Sequence, residues 1–333
     1  MTNNKTDEII FESRNDYSHD ADVNKLYDTI VIGIGVSGYS CAMYLARLGL
    51  KVLMIGENPG GMLALTGKVE NYPGFVSING LKLTQLLENH MMDYNIDVEY
   101  DIVDLIEENK DKNKKEFLAH LGKKFFKSKS IILATGSRLK KLNVKGEDEF
   151  FGNGVSYCAL CDAAFIKNKT IGVIGGGDSA IKEAILVLEY AKKVFIINNE
   201  KEIHPESHNE KILNQKIKEN KIEIINSNEV IEIKGKDSVE KIVLKKNYNE
   251  SKELNLDGIF VYIGNTPNSE LSKKLGIKLN DKQEVIIDQY SKTNIKGIYA
   301  CGDVTNFKIK LAITGVSQGV CAACSAYEYL KNL

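Results

Sequence analysis

Apolar and polar positions divide the chain into strand–loop–helix starts separated by charged, alternating stretches. Residues 27–32 (Tyr-Asp-Thr-Ile-Val-Ile) form a β-branched run that leads into a glycine loop, an apolar helix over about 39–48, and a second strand at 52–55. The same order returns at 169–174, followed by a loop, a helix over about 179–190 and a strand at 193–197. Between and after these units, residues 95–126 and 222–246 alternate with many charges, the pattern of a half-solvated antiparallel layer beside each parallel sheet. Residues 311–330 form a last helix, whose Gly315, Gly319, Ala322, Ala323 and Ala326 predict close packing. The expected fold class is α/β, with two Rossmann-like dinucleotide-binding domains, each a parallel sheet plus an antiparallel meander, the second inserted in the first.

The loops between strand and helix carry the first chemistry. Gly33-Ile-Gly35-Val-Ser37-Gly38 has the spacing in which one glycine makes the turn, one lets backbone approach a pyrophosphate, and one packs helix on strand. The helix N-terminus then presents its partial positive charge to the phosphates. Glu57, nineteen residues past Gly38, is placed to accept from an adenosine ribose hydroxyl. The second loop, Gly175-Gly-Gly177-Asp178-Ser179-Ala180, repeats the form with Ala in third place. A glycine turn with no ligand is the alternative reading, and the flanking strand and helix argue against it.

Composition narrows the class. A chain of 333 residues exceeds what one core usually supports. With 44 basic and 45 acidic side chains there is no electrostatic footprint for nucleic acid or an acidic membrane surface. No run of about 18 apolar residues predicts a membrane span. Residues 1–26 are polar and acidic and do not resemble a signal peptide; a loosely ordered extension with a short docked piece around residues 9–11 is expected. Six cysteines at irregular spacing do not form a secreted disulfide framework, so a reducing cytoplasm is the expected home.

Two of those cysteines, Cys158 and Cys161, lie three apart in Tyr157-Cys-Ala-Leu-Cys-Asp162, thirteen residues before the second glycine loop. There a Cys-x-x-Cys is catalytic or metal-binding. A zinc site needs two further ligands, and the other Cys-x-x-Cys, Cys321 and Cys324, is separated by 159 residues, so no metal is expected. Cys321 and Cys324 suit a structural role in a small-residue helix, with a second redox pair as the alternative. Cys41 and Cys301 are expected in the core. His204 and His208, four apart, are expected on a solvated helix face.

At this point the chain resembles the low-molecular-weight thioredoxin reductases, class II members of the FAD-dependent pyridine nucleotide-disulfide oxidoreductases. The resemblance runs from about residue 27 to 333 and rests on motifs in order. Gly60-Gly61-Met62-Leu63 with Asn71 and its neighbours resembles the segment under the isoalloxazine. Leu133-Ala-Thr135-Gly136 resembles the strand beside the adenosine. Gly302-Asp303 resembles the second FAD motif, where the acid contacts the ribitol. Domain limits implied are 27–140 with 266–333 for FAD, and 141–265 for the insert, which rotates on its linkers in the family. The resemblance implies a homodimer in which Cys161 meets the flavin, Cys158 attacks a disulfide of thioredoxin or a similar dithiol protein, and Asp162 supplies the proton. The enzyme reading is set against a redox-sensing module or a dithiol oxidase on the same scaffold.

Two departures stand out. The family's arginine motif for the NADPH 2′-phosphate is replaced by Asn198-Asn-Glu200-Lys-Glu-Ile-His204, and no arginine lies beyond Arg138. Glu200, twenty residues past Ala180, suits a free ribose hydroxyl and repels a phosphate. NADPH is disfavoured; NADH, a second FAD or nothing could occupy the second loop, and ferredoxin is a possible donor. The family's Arg-Gln-Ala beside the flavin is Lys310-Leu311-Ala312 here.

Overall fold

The computed structural model describes residues 19–109, 116–159 and 166–333. The chain forms two compact units, one from the residues up to Ser137 together with Pro267–Leu333, the other from Arg138–Thr266. The strands at the two crossings, Ser137–Leu139 and Asn265–Pro267, pair with each other.

The first unit is built on a seven-stranded sheet. Ile96–Glu99, Val52–Ile55, Leu26–Ile32 and Lys124–Leu133 follow one another in parallel. The ten-residue strand Lys124–Leu133 has two partners on its far side. Its first half pairs antiparallel with Phe117–Leu121, beyond which lies Leu105–Glu108, and its second half pairs parallel with Ile298–Ala300. Burial alternates along the first half and is complete along Ile131–Leu133, as expected where one face and then both faces of a sheet are covered. The antiparallel strands therefore extend the parallel sheet instead of lying beside it. Ile96–Glu99, expected in the meander, is a parallel edge strand.

Alternate residues of the central strands feed two cores. Ile30, Ile32, Leu53, Ile55 and Ile131 face one side, and Val31, Met54 and Ile132 the other, with Cys41 and Cys301 fully buried in the second. On that second side helices Val36–Arg47 and Ala312–Lys331 pack closely. A Cβ on Gly319 would lie 2.4 Å from the Ser37 carbonyl oxygen, and Ser40 Oγ donates to the Val316 carbonyl at 2.8 Å.

Residues 19–25, expected to be loose, are fastened to the edge strand. Val98 N donates to the His19 carbonyl at 2.8 Å, and Lys25 pairs with Asp97 at 2.8 Å. The expected docked piece at 9–11 lies outside the described residues.

The second unit holds five parallel strands in the order Val155–Ser156, Gly258–Val261, Thr170–Ile174, Lys193–Ile197 and Ile222–Ile225. Here the antiparallel layer is separate: Val230–Gly235, Val239–Tyr248 and Ser251–Asn255 form their own sheet. It closes one core with Phe195, Ile197 and Ile225, while helix Asp178–Leu188 closes the other through Ile181, Ala184 and Val187. The next helix is Ser207–Lys218, so His208 is helical and His204 is not. Among the described residues no helix is long and apolar enough to cross a membrane.

Candidate functional site

In the first loop, the three glycines are required for three different reasons. Gly33 turns at φ 117°, and a Cβ there would sit 2.1 Å from the Ala134 carbonyl oxygen. A Cβ on Gly38 would sit 2.0 Å from the Gly33 carbonyl oxygen. Gly35, by contrast, would meet nothing nearer than Gly61 Cα at 4.0 Å. Its face is the open one, where a pyrophosphate needs to approach backbone. Gly60 is clamped to this loop: its N–H lies 2.8 Å from the Ile34 carbonyl and 3.1 Å from the Tyr39 hydroxyl, which donates to Glu88. This fixes the 3₁₀ turn Gly61–Leu63, where Met62 and Leu63 are half-buried. Tyr39 was not singled out from sequence, since an aromatic on an apolar helix gives no sign of its hydroxyl's partner. Glu57 is exposed just past the second strand and accepts from Asn58 at 3.0 Å. Asn71 is exposed.

Strand Ile298–Ala300 delivers the turn Gly302–Val304 to the start of the same helix. A Cβ on Gly302 would lie 2.4 Å from Ser37 Oγ. Gln318 Oε1, from the buried face of the last helix, accepts from Gly302 N at 3.2 Å and Thr305 Oγ1 at 2.9 Å. Burial pushes the Asp303 carboxyl pKa up, against the Lys310 charge and a 3.3 Å bond from Ser137 Oγ. One long hydroxyl bond leaves Asp303 acceptor capacity that a polyol such as the ribitol of FAD would use. Thr135 Oγ1 donates to the Asn268 carbonyl at 2.7 Å, and the Gly136 carbonyl accepts from Asn268 N at 3.0 Å. With the open face at Gly35, these residues fit FAD.

Lys310 is placed differently from a flavin-facing arginine. Its Nζ pairs with Glu284 at 3.1 Å and donates to the Asp303 and Thr305 carbonyls, so it braces the turn that carries Asp303. Leu311 is the N-cap of the last helix and Ala312 its first residue.

In the second unit, Cys158 follows strand Val155–Ser156 and is disulfide-bonded. Cys161 and Asp162 lie outside the described residues. The Cys158 amide donates to Ser156 Oγ at 3.0 Å, and the Ala159 amide donates to the Tyr262 hydroxyl at 3.0 Å. Tyr157 donates at 2.5 Å to Glu147, a buried carboxylate that also accepts from the amides of Leu142 and Asn143. Cys41, Cys301, Cys321 and Cys324 are free. Burial, with Cys321 beside it, pushes the Cys324 thiol pKa up, away from reactivity. Among the described residues no group of three ligand-type side chains could hold a metal.

The second glycine loop repeats the first. A Cβ on Gly175 would lie 2.2 Å from the Tyr262 carbonyl oxygen, while Gly177 faces open space and Ala180 is buried. Asp178 accepts from Glu206 N and Asn209 Nδ2 at 2.7 Å each. Burial raises its pKa, but these bonds and Lys182 outweigh that and hold the carboxyl below its usual range. Ser179 is exposed. Buried Asn198 shapes the segment that follows, accepting from Glu200 N and donating to the Glu202 carbonyl. His204 N closes the segment on the Gly176 carbonyl at 2.7 Å, and Glu200 Oε2 meets His204 Nε2 at 3.0 Å. This unit carries a single arginine of its own, Arg138 at its border.

A dinucleotide site in one unit and a disulfide in the other define a redox flavoprotein of the disulfide-handling class. The family model for pyridine nucleotide-disulphide oxidoreductases matches residues 27–319. Thioredoxin reductase of Listeria innocua is 36% identical over 319 residues, covering 94% of this chain and 97% of that protein. The crystal structure of Lactococcus lactis thioredoxin reductase aligns with a TM-score of 0.85 at 34% identity, covering 92% of this chain and 100% of the other. A ferredoxin-flavin thioredoxin reductase from Clostridium acetobutylicum is 29% identical, with a TM-score of 0.50 over 92% of this chain and 98% of its own. The chain belongs to the pyridine nucleotide-disulphide oxidoreductase family and, within it, to the low-molecular-weight thioredoxin reductases. It is an oxidoreductase, and its family implies FAD.

Proposed function

We propose that this protein is an FAD-dependent reductase of thioredoxin or a similar small dithiol protein, working through Cys158 and Cys161. The observation that carries the reading is the disulfide at Cys158, when the other four described cysteines are free. FAD would be held by Gly33, Gly35, Ser37, Gly38 and Glu57 at its adenosine and pyrophosphate, and by the Gly60–Leu63 turn, Asn71, Thr135, Gly136 and Asp303 toward its ring and ribitol. When bound, it supplies a two-electron carrier between a donor and the disulfide.

Two electrons open the disulfide to a dithiol. The Cys158 thiolate attacks one sulfur of the partner's disulfide; the partner's other sulfur leaves and takes a proton, for which Asp162 is the donor. Cys161 then attacks the Cys158 sulfur, which re-forms the internal disulfide and frees the partner's second thiol. The reading carries a homodimer in a reducing cytoplasm.

The donor in this reading is NADH or a protein such as ferredoxin, and not NADPH. A 2′-phosphate would meet the Glu200 carboxylate with no bidentate guanidinium to offset it. The likeness to a protein named as a ferredoxin-flavin thioredoxin reductase supports a donor other than a pyridine nucleotide. The test is the anaerobic rate of flavin bleaching with NADH, NADPH and reduced ferredoxin at equal concentration, followed by reduction of thioredoxin disulfide. NADPH is expected to be slow. Fast bleaching by micromolar NADPH, with NADH much slower, would show that lysines such as Lys201 serve the phosphate. A colourless protein that takes up no FAD would overturn the reading entirely.

A further inference from the structure

A buried carboxylate just ahead of the redox turn has no part in the chemistry above. Glu147 is 3% exposed, and three donors converge on it. The Leu142 and Asn143 amides donate at 2.7 and 2.6 Å, and the Tyr157 hydroxyl at 2.5 Å. The backbone beside Glu147 is pinned to the antiparallel sheet of the second unit. Ile233 N donates to the Lys145 carbonyl at 2.9 Å, and a Cβ on Gly146 would lie 2.2 Å from the Ile233 carbonyl oxygen. Gly146, at φ 90°, lets the chain turn against that strand with no side chain in the way.

Tyr157 is the residue before Cys158. Like Leu142 and Val144, it packs against the core that this sheet closes, and its ring lies 6.0 Å from the Phe151 ring. Burial and the Glu147 bond hold its hydroxyl pKa well above the usual range, so it stays a donor at working pH. On the other side of Cys158, the Ala159 amide donates to the Tyr262 hydroxyl at 3.0 Å. The cysteine therefore sits between two anchored neighbours.

Opening a disulfide releases the covalent constraint on its turn, and the sulfurs re-bond only while their Cα atoms stay within about 4.4–6.8 Å. Backbone freedom gained by the dithiol favours the open form. Groups that hold the turn in place raise the effective concentration of one thiol at the other and favour the disulfide. We propose that Glu147 is a positioning residue for Cys158: through the Tyr157 hydroxyl it ties the residue before the cysteine to the sheet-anchored segment 145–147, and so keeps the reduced turn in the geometry that re-forms the disulfide. A disulfide favoured in this way makes the dithiol a stronger reductant toward the partner's disulfide.

This role rests on Cys158 being the redox thiol of the reading above. Full-length parent, Tyr157→Phe, Glu147→Gln and the double variant are equilibrated anaerobically across ratios of reduced to oxidised dithiothreitol. In that exchange the protein S–S bond takes two electrons and two protons and opens to two thiols, as the two thiols of the reagent close to its cyclic disulfide. After acid quenching and labelling with N-ethylmaleimide, the reduced fraction of Cys158 is read by mass spectrometry. Tyr157→Phe, which removes only the hydroxyl, is expected to be half-reduced at a ratio about fivefold lower than the parent, a rise of ~20 mV. Glu147→Gln is expected to move the same way, and the double variant no further than the larger single shift, because both changes break one connection. A merely structural role would lower the melting temperature in both redox states and leave the midpoint in place. If Tyr157→Phe keeps the parent's midpoint, the positioning role is wrong while the redox reading stands. Additive shifts would show that Glu147 acts by another route and would overturn the role as well. If Glu147→Gln does not fold, Tyr157→Phe alone decides. If Cys158 of the parent stays oxidised at every ratio and the protein reduces no thioredoxin, the role and the redox reading both fall.

Discussion

At the scale of single residues, burial and bonding separate the cysteines into two kinds. Cys158 is disulfide-bonded and its amide donates to Ser156 Oγ, whereas Cys321 and Cys324 are free thiols on a helix. Cys158→Ser is expected to abolish disulfide reduction and leave bound flavin unchanged. The double change Cys321→Ser/Cys324→Ser should leave turnover within about twofold, since their substitution moves stability little. Absorbance of the flavin beside a thioredoxin assay checks both. Glu183 has a separate consequence for stability. Burial raises its folded pKa to about 7 from an ordinary 4.5, so between these the folded state binds more protons than the unfolded one. Stability from this group is present below about pH 4.5 and is lost as pH rises to about 7. Glu183→Gln removes that loss. The variant should melt with little pH dependence from this source, and above pH 7 it should gain on the order of 2 kcal/mol over the parent.

At the scale of elements, the first glycine loop shows how one motif mixes packing with binding. Gly38 has no room for a methyl group, because the Gly33 carbonyl oxygen would be 2.0 Å away. Gly35 has room and an ordinary extended backbone, φ −87° and ψ −177°. Gly38→Ala is expected to destabilise the protein by about 2 kcal/mol, with flavin loss following from the displaced helix. Gly35→Ala should keep the melting temperature of flavin-free protein, changing stability by no more than about 0.5 kcal/mol. It should nevertheless lose FAD, because the methyl enters the space for the pyrophosphate. Melting of apoprotein against flavin content per chain distinguishes the two. Strand Lys124–Leu133 shows the limit of pattern at this scale. Its alternating half and its continuous apolar half were visible, but one strand serving an antiparallel and a parallel partner in turn was not.

At the scale of the molecule, the second unit is closed in itself. It has its own two cores, and its chain enters and leaves at neighbouring positions, Lys140 N donating to the Gly264 carbonyl at 2.9 Å. Neighbouring termini and a private core are the conditions for independent folding. Residues 138–266 expressed alone are expected to unfold in one cooperative transition, to keep the disulfide at Cys158, and to bind no flavin. Circular dichroism melting and a free-thiol count check this; a fragment without a transition would show that the first unit is needed to fold the second.

The sequence alone determined the two nucleotide-type units, the order of strand, loop and helix in each, and the residue types available for chemistry. Those features are local: glycine spacing, β-branched runs and helix periodicity act over one or two turns of chain. It likewise determined that the second loop and the segment after it carry no arginine, because none exists beyond Arg138. What only the tertiary structure decided are contacts across long separations. Lys310 turned to Glu284 and the Asp303 turn, and Gln318 joined the Gly302 turn. The Ala159 amide reached the Tyr262 hydroxyl, 103 positions further along the chain, because the parallel pairing of Val155–Ser156 with Gly258–Val261 sets the two segments side by side. A lone tyrosine after a strand carries no mark of such a partner; backbone pairing between distant strands creates it.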